Sequence, residues 1–154
     1  MLEIGSPAPD FTLPRDGGGE VTLSAQKPKK VVLYFYPKDD TSGCTKEAQG
    51  FTEAADAFAA ASTVVIGVSK DSVAKHDKFI AKYDLAVVLA SDETSDVCER
   101  YGAWVEKSMY GKKYMGIERC TYLIDGDGKI SQIWRKVKVP GHVGAVLDAV
   151  KSLG

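Results

Sequence analysis

Cys44 is the residue whose type and position most strongly indicate chemistry. An apolar run at residues 31–36 comes shortly before it, and a helical pattern begins at or just before it. A cysteine between the end of a strand and the first turn of a helix meets backbone N–H groups and the positive end of the helix dipole. Both favour the thiolate, which is the reactive form of cysteine. On position alone, a reactive thiolate and a buried structural cysteine are equally good interpretations.

The elements that must position this cysteine follow from the hydrophobic pattern. Residues 31–36 are apolar on both faces, as expected for a central strand. From Cys44 onwards, apolar residues recur at alternating spacings of four and three, which predicts one stripe on a helix. The stripe consists of Cys44, Ala48, Phe51, Ala55 and Phe58. Because Cys44 opens the stripe, we expect its side chain to lean toward the body of the protein.

Further elements are predicted on both sides of this strand and helix. Residues 7–14 are extended because each proline restricts the residue before it, and with a glycine turn and residues 21–23 they predict an N-terminal β-hairpin. Later in the chain, the patterns predict strands at residues 63–69, 86–90, 120–125 and 129–137, and helices after a cap at Asp71 or Ser72, at residues 95–101 and at residues 142–153. Residues 102–118 contain few clear elements.

The order of these elements predicts an α/β fold. Strands and helices alternate in the middle of the chain, and a hairpin followed by a helix ends it. This order is typical of a central mixed β-sheet flanked by helices on both faces, with right-handed crossovers between its parallel strands. With 154 residues, the chain is expected to form a single domain over residues 1–154.

Three segments of the chain together resemble a peroxiredoxin, in particular the bacterioferritin comigratory protein (PrxQ) subfamily. They are Ala-Pro-Asp-Phe-Thr-Leu at residues 8–13, the stretch at residues 34–47, and Arg119 before Thr-Tyr-Leu-Ile-Asp at residues 121–125. The similarity covers almost the whole chain, and the pattern Pro-x-x-x-Thr-x-x-Cys with a distant arginine is specific. The resemblance implies a thioredoxin-like fold and a peroxidase that reduces hydrogen peroxide and organic hydroperoxides in antioxidant defence, without a cofactor.

The resemblance assigns a role to each matched residue. Cys44 is expected to be the peroxidatic thiolate, which attacks a hydroperoxide oxygen and becomes a sulfenic acid. Arg119 is expected to hold the thiolate and stabilise the leaving oxygen, and the Thr41 hydroxyl to hydrogen-bond the peroxide. Pro37, which is rigid and has no N–H, is expected to wall the pocket against water. The backbone N–H groups of Gly43 and Cys44 are expected to complete the hydrogen bonds of the oxygen.

Two carboxylates near Cys44 oppose this role, because a negative charge close to a thiol disfavours its ionisation. Asp39 and Asp40 both lie in the loop before the cysteine, and that loop has an exposed-looking composition. We therefore expect both side chains to point to solvent, so that the helix terminus and Arg119 outweigh them.

The sequence departs from the family pattern at the resolving cysteine. Many relatives carry this second thiol five residues after the first, where this chain has Gln49, or in the following helix at the position aligned with Ile80. Because neither position is a cysteine, we expect a one-cysteine mechanism in which an external thiol reduces the sulfenic acid.

The two remaining cysteines are interpreted mainly as small buried hydrophobic residues. Cys120 follows Arg119 on a predicted strand, so it faces away from Cys44 if Arg119 faces toward it. Cys98 lies on a predicted short helix and stays open as an atypical resolving cysteine.

Other chemistry is less well supported. There is no Cys-x-x-Cys motif for disulfide exchange, and the cysteines and histidines lack metal-ligand spacing, so no metal site is expected. Residues 125–129 resemble a calcium loop, but the glycine is misplaced and the closing glutamate is missing, which favours a hairpin turn. A Cys–His hydrolase would need His76 or His142 beside Cys44, and we interpret both histidines as packing or capping residues.

Composition excludes several classes of partner. The 20 basic and 21 acidic side chains leave a net charge of −1, so neither nucleic acid nor an anionic membrane is an expected partner. The apolar runs are too short to span a bilayer, and residues 1–5 show no signal-peptide pattern. Three widely spaced cysteines do not form a disulfide framework. We therefore expect a cytoplasmic protein, and the resemblance implies a monomer.

Three functions are compatible with a reactive Cys44. The first is a thiol peroxidase whose reductant is thioredoxin, glutaredoxin or a low-molecular-weight thiol. The second is a redox sensor or relay that passes oxidation from Cys44 to a partner protein, and the third is a holdase-like structural role. The first is favoured, because a pocket that activates a peroxide is superfluous in the other two.

Overall fold

The computed structural model describes residues 2–153. In chain order its strands are β1 (Thr12–Pro14), β2 (Glu20–Thr22), β3 (Lys30–Phe35), β4 (Thr63–Ser69), β5 (Val88–Ser91), β6 (Trp104–Met109), β7 (Lys112–Ile117), β8 (Cys120–Ile124) and β9 (Ile130–Trp134). Its helices are α1 (Ser42–Glu53), α2 (Ala55–Ala60), α3 (Val73–Tyr83), α4 (Val97–Arg100) and α5 (His142–Ser152). A single 3-10 turn spans Ser24–Gln26.

The central sheet has five strands in the order β5-β4-β3-β8-β9. β3 pairs in parallel with β4, and β4 with β5, whereas β8 runs antiparallel to both β3 and β9. Helices α1 and α2 connect β3 to β4, and α3 connects β4 to β5. The predicted mixed sheet and N-terminal hairpin (β1–β2) are therefore confirmed.

The sheet separates two hydrophobic cores. Strand side chains alternate between the faces, so Leu33 and Phe35 enter one core while Val32 and Tyr34 enter the other. The face that carries Val32 packs against α1, α2, α3 and α5, and we call it the helix side. The opposite face packs against the N-terminal hairpin and the one-turn helix α4, and we call it the hairpin side.

Two regions differ from the sequence prediction. The helix that includes Cys44 is interrupted at Ala54, where φ is −93° and ψ is 6°, and it continues as α2. Residues 104–117 form an antiparallel hairpin, β6–β7, that the sequence did not reveal. Its turn residues Tyr110 and Gly111 have φ of 52° and 79°, which suits a two-residue hairpin turn. β7 is exposed along most of its length and therefore lacks the apolar alternation that marks a half-buried strand.

Local predictions elsewhere agree with the structure. The Ser72 hydroxyl accepts a hydrogen bond from the backbone N–H of Lys75 and caps α3. The Asp125 carboxylate accepts hydrogen bonds from the backbone N–H groups of Asp127 and Lys129, which forms the hairpin turn between β8 and β9. Within residues 2–153, no helix is both long enough and apolar enough to cross a membrane.

Candidate active site

Cys44 lies in the first turn of α1 and points into the helix side of the sheet. β3 ends at Phe35, a loop follows, and α1 begins at Ser42 with Thr41 as its N-cap residue. The side chain of Cys44 is only 1% exposed and packs in the same core as Ala48 and Phe51. The sulfur therefore leans toward the protein body, as the stripe predicted.

Arg119 supplies the positive charge at the sulfur. Its Nη2 donates a hydrogen bond to Cys44 Sγ over 3.2 Å. The following residue, Cys120, pairs with Phe35 across β8 and β3, so the arginine is carried to the end of the sheet where α1 begins. The backbone carbonyl of Arg119 also accepts a hydrogen bond from the Val137 N–H at 2.9 Å, which fixes the backbone at this position. Burial lowers the pKa of Arg119, but the facing Glu47 and Cys44 raise the pKa by more.

Glu47 completes this cluster and was missed by the sequence reasoning. Its Oε1 accepts a hydrogen bond from Arg119 Nη1 at 2.6 Å, while its Oε2 is buried without a partner among the described residues. Burial raises the pKa of Glu47 from 4.5 to about 7, against the opposing effect of Arg119. The available signal was its position three residues after Cys44, which puts both side chains on one helix face.

Gly43 leaves room for the guanidinium. A Cβ atom at this position would lie 3.1 Å from Arg119 Nη2 and 3.9 Å from Val139 Cγ2, closer to the guanidinium than ordinary side-chain contacts. The first main-chain bond of α1 runs from Thr45 N–H to the Thr41 carbonyl at 2.8 Å. The N–H groups of Gly43 and Cys44 precede that bond, so the helix itself offers them no acceptor.

Thr41 and Pro37 lie in the loop before α1. The Thr41 hydroxyl donates its proton to the Lys38 carbonyl at 2.8 Å, so toward a ligand its oxygen serves as an acceptor. Both Thr41 and Pro37 are exposed.

The expectation that both aspartates point to solvent is wrong for Asp39, which is buried. Its carboxylate accepts hydrogen bonds from the Tyr36 hydroxyl at 2.5 Å and from His76 Nδ1 at 2.6 Å. His76 Nε2 lies 3.0 Å from the Ala90 carbonyl, so both ring nitrogens face acceptors, which favours the doubly protonated imidazolium. Burial lowers the pKa of His76, and the bond to Asp39 raises it by more. The charge of Asp39 is therefore neutralised within the fold.

Asp40 is exposed, as expected. It accepts hydrogen bonds from Lys82 Nζ at 2.7 Å and from the Tyr83 hydroxyl at 2.6 Å. The backbone N–H of Asp39 donates to Asp71 Oδ2 at 2.8 Å. These contacts tie the loop before Cys44 to α3 and to the residues that precede it.

Neither histidine is a hydrogen-bond partner of Cys44. His76 belongs to the Asp39 pair, and His142 Nε2 lies 2.8 Å from Thr121 Oγ1. Burial and the charge of Arg119 lower the pKa of His142 to about 4, so its ring is neutral at ordinary pH. The described contacts therefore give no support to a Cys–His hydrolase.

The other two cysteines lie in the hairpin-side core, across the sheet from Cys44. Cys120 faces away from Cys44, as strand alternation predicted. Burial raises the pKa of Cys120 to about 12. Burial and the neighbouring Asp92 raise the pKa of Cys98 well above its usual value. All three cysteines are free thiols.

Comparison with known proteins agrees with this geometry. A model of the AhpC/TSA family matches residues 4–133. A protein of Coxiella burnetii named putative peroxiredoxin bcp is 55% identical over 146 residues, which cover 95% of this chain and 97% of that protein. Peroxiredoxin Bcp of Bacillus subtilis is 47% identical over 152 residues, which cover 99% and 97%.

Solved structures give the same result. A mutant of Xanthomonas campestris peroxiredoxin Q matches with a TM-score of 0.92 at 44% identity and covers 100% of this chain and 98% of its own. A structure of the Xanthomonas campestris bacterioferritin comigratory protein, concerned with its alkyl peroxide reduction activity, matches with a TM-score of 0.90 at 43% identity and covers 99% and 97%. The chain therefore belongs to the AhpC/TSA family, in its bacterioferritin comigratory protein subfamily of peroxiredoxins. The thioredoxin-like fold implied by the resemblance is confirmed.

Proposed function

We propose that this peroxiredoxin reduces hydrogen peroxide and organic hydroperoxides with Cys44 as its only redox-active thiol. The observation that carries the proposal is the 3.2 Å hydrogen bond from Arg119 Nη2 to Cys44 Sγ in the first turn of a helix. A fixed guanidinium and a helix N-terminus both stabilise the thiolate, which is the nucleophile for a peroxide oxygen.

The oxidation step forms one bond and breaks one. The Cys44 thiolate attacks the terminal oxygen of the hydroperoxide, an S–O bond forms, and the O–O bond breaks. Cys44 becomes a sulfenic acid, and the other oxygen leaves as an alkoxide or hydroxide that takes a proton from water. Arg119 stabilises the charge that develops on the two oxygens, because its guanidinium is always protonated and offers several donors.

The remaining residues of the site orient the peroxide. The Thr41 oxygen accepts a hydrogen bond from the peroxide O–H, since its own proton is donated to the Lys38 carbonyl. The N–H groups of Gly43 and Cys44 donate to the oxygen under attack. Pro37 limits the access of water, because its ring is rigid and has no N–H. Glu47 positions Arg119 through the 2.6 Å contact.

Reduction of the sulfenic acid requires a thiol from outside the chain. Cys98 and Cys120 are buried on the hairpin side, and burial favours their protonated, unreactive forms. The external thiol condenses with the sulfenic acid, releases water and forms a mixed disulfide, which a second thiol then reduces. Thioredoxin, glutaredoxin and low-molecular-weight thiols all supply this chemistry. We also propose that the protein is monomeric and cytoplasmic.

The experiment that tests this function is peroxide consumption with dithiothreitol as reductant. We expect turnover by the unmodified protein and none by Cys44→Ser. Retained turnover in Cys44→Ser overturns the proposal. Rapid oxidation of Cys44 without turnover by any reductant would instead favour the redox sensor or relay, for which the peroxiredoxin relatives give no support.

The one-cysteine mechanism has its own test, which is mass spectrometry of protein treated with peroxide in the absence of reductant. We expect a sulfenic or sulfinic acid confined to Cys44. An intramolecular Cys44–Cys98 disulfide would refute the mechanism while leaving the peroxidase activity intact.

A further inference from the structure

The β6–β7 hairpin carries most of the exposed large hydrophobic side chains in residues 2–153. Four of the six lie here, namely Met109, Tyr110, Tyr114 and Met115, and Tyr110 is 99% exposed. The other two, Ile4 and Leu153, are isolated near the chain ends. A cluster of exposed apolar side chains on one element marks an interaction surface, whereas scattered ones need no explanation.

The strand register divides the hairpin into two faces, because paired residues of antiparallel strands point to the same side. One face begins with the pair Trp104 and Ile117, which packs against the hairpin-side core. The opposite face, which we call the outer face, carries Lys107, Met109, Lys112 and Tyr114. A Cβ at Gly116 would lie 3.3 Å from Lys107 Cδ and 3.4 Å from Tyr114 Cε2, so these side chains lie across the outer face.

The outer face is positively charged. Lys107 and Lys112 belong to it, and no carboxylate does. The carboxylate of the hairpin, Glu106, is on the other face, where it lies 3.7 Å from Lys113. Lys107 and Lys112 form no ion pair with any described residue, although the chain as a whole has a net charge of −1. A partner surface that complements the outer face therefore carries both apolar and acidic side chains.

The hairpin rises from the end of the sheet where Cys44 lies. Ile117 is two residues before Arg119, and the Glu118 N–H donates to the Ala103 carbonyl at 2.7 Å to close the base. Lys70, which directly follows β4, lies 5.1 Å from the centre of the Trp104 ring. The six residues of β7 extend about 17 Å from this base. An ordinary protein interface of about 800 Å² is roughly 30 Å across, which is wide enough to include both the Cys44 end of the sheet and the hairpin.

We propose that the outer face is the docking surface for a protein dithiol, whose contact face carries apolar and carboxylate side chains and which reduces oxidised Cys44. This inference rests on the proposed function and locates the surface that the reductant contacts. One thiol of the partner condenses with the Cys44 sulfenic acid, forming a disulfide and releasing water. Its second thiol then displaces the Cys44 thiolate, so the partner leaves as a disulfide and Cys44 returns reduced. Lys107 and Lys112 bring the acidic partner to the site, and Met109 and Tyr114 provide the apolar contact.

The test compares a protein dithiol with a small one. Peroxide turnover is measured with thioredoxin and its NADPH-dependent reductase, and again with dithiothreitol, which needs no docking surface. We expect the double variant Lys107→Glu, Lys112→Glu and the double variant Met109→Ser, Tyr114→Ser each to raise the KM for thioredoxin about tenfold. Both should leave dithiothreitol turnover unchanged. Lys113→Glu, on the opposite face, is the matched control and should change neither value.

Each outcome decides for or against the surface. An unchanged KM for thioredoxin in both double variants overturns the inference, as does turnover by dithiothreitol but not by thioredoxin. A dimer of the unmodified protein in analytical ultracentrifugation that both double variants abolish would also overturn it, because the outer face would then bind a second copy. If dithiothreitol itself supports no turnover, the proposed function fails instead. A rise in the KM for thioredoxin when salt is added to the unmodified protein would support an attraction between the lysines of the outer face and an acidic partner.

Discussion

The two sides of the central sheet place the same residue type in opposite electrical environments. Cys44, Cys98 and Cys120 are each at most 1% exposed, so burial does not distinguish them. On the helix side, Cys44 accepts a hydrogen bond from the Arg119 guanidinium in the first turn of a helix. On the hairpin side, Cys98 lies beside the Asp92 carboxylate. Burial raises the pKa of Cys98 and of Cys120, and of the three equally buried thiols only Cys44 accepts a hydrogen bond from a guanidinium, so the comparison shows that a buried thiol needs a cation bonded to its sulfur in order to react.

On the helix side, the charged side chains close to Cys44 form ion pairs. Arg119 is paired with Glu47, and Asp39 is paired with His76. On the hairpin side, Asp92 accepts hydrogen bonds from the backbone N–H groups of Val97 and Cys98 and lies 3.2 Å from Lys70. That carboxylate stabilises the start of α4 and at the same time disfavours ionisation of the Cys98 thiol.

The largest effect is expected from removing the cation on the helix side. Arg119→Met leaves Cys44 buried but without a positive partner. The thiols on the two sides of the sheet should then be alike, because none has a cation bonded to its sulfur. We expect the rate constant for Cys44 oxidation by hydrogen peroxide, measured by stopped flow, to fall about 10²–10³-fold. Arg119→Lys keeps the charge, so its loss should be smaller, although its single nitrogen does not span Cys44 and Glu47 as the two guanidinium nitrogens do. A rate within threefold of the unmodified protein for Arg119→Met, in a variant that melts cooperatively, would break the comparison.

The second prediction concerns the cost of burying Glu47. Its folded pKa of about 7 lies above its ordinary value of 4.5, so its contribution to stability is present below pH 4.5 and is lost as the pH rises through 7. Glu47→Gln removes this titration. From urea unfolding at a series of pH values, we expect the unmodified protein to lose about 3 kcal/mol relative to Glu47→Gln between pH 4.5 and pH 8. If the difference in unfolding free energy between the two proteins stays constant over that pH range, Glu47 does not titrate between pH 4.5 and pH 8.

The third prediction uses two adjacent aspartates in different surroundings. Asp39→Asn leaves the buried His76 cation without a counter-charge and should cost about 3 kcal/mol of unfolding free energy. Asp40→Asn, the matched control, should cost much less, because its contacts to Lys82 and Tyr83 are exposed.

The pH dependence sharpens this test. The folded pKa of His76 is raised above 6.5, so the stability from the pair is fully present below pH 6.5 and is lost as the pH rises through the raised value. The cost of Asp39→Asn should therefore be larger at pH 6 than at pH 9. Equal costs for the two aspartate variants at pH 6 would contradict the role of Asp39 as a buried anchor of the loop.

The sequence was sufficient for the elements that are buried on both faces. β4 was predicted at its observed bounds and β3 within one residue, because an uninterrupted apolar run has few other interpretations. β6 and β7 were not predicted, because only the base of this hairpin packs against the core and its exposed remainder imposes no period of two. The exposure that hid this hairpin from sequence reasoning also leaves its apolar side chains open to solvent.

The candidate site was predictable only in part for a related reason. Cys44 was singled out by its position between a strand and a helix, and the family resemblance then strengthened that interpretation and added Arg119. Asp39 was misplaced because its partner His76 is 37 residues away on α3, and no local pattern shows that a helix-face histidine will meet a loop carboxylate. Glu47 was missed although it shares a helix face with Cys44, because an isolated glutamate in a helix is normally exposed.

The smallest effect is expected on the hairpin side. Cys98→Ala and Cys120→Ala each remove a thiol that is buried across the sheet from Cys44, so dithiothreitol-dependent peroxide turnover per folded molecule should stay within twofold of the unmodified protein. Each variant should lose some unfolding free energy, about 1 kcal/mol, because the smaller side chain leaves a void in the core. Stability and activity are thus expected to separate: on the hairpin side a cysteine contributes volume, and on the helix side it contributes a nucleophile. Loss of turnover in a Cys98→Ala variant that stays folded would identify Cys98 as a resolving thiol. Because Cys98 and Cys44 lie on opposite sides of the sheet, the sheet would then have to open during the reaction.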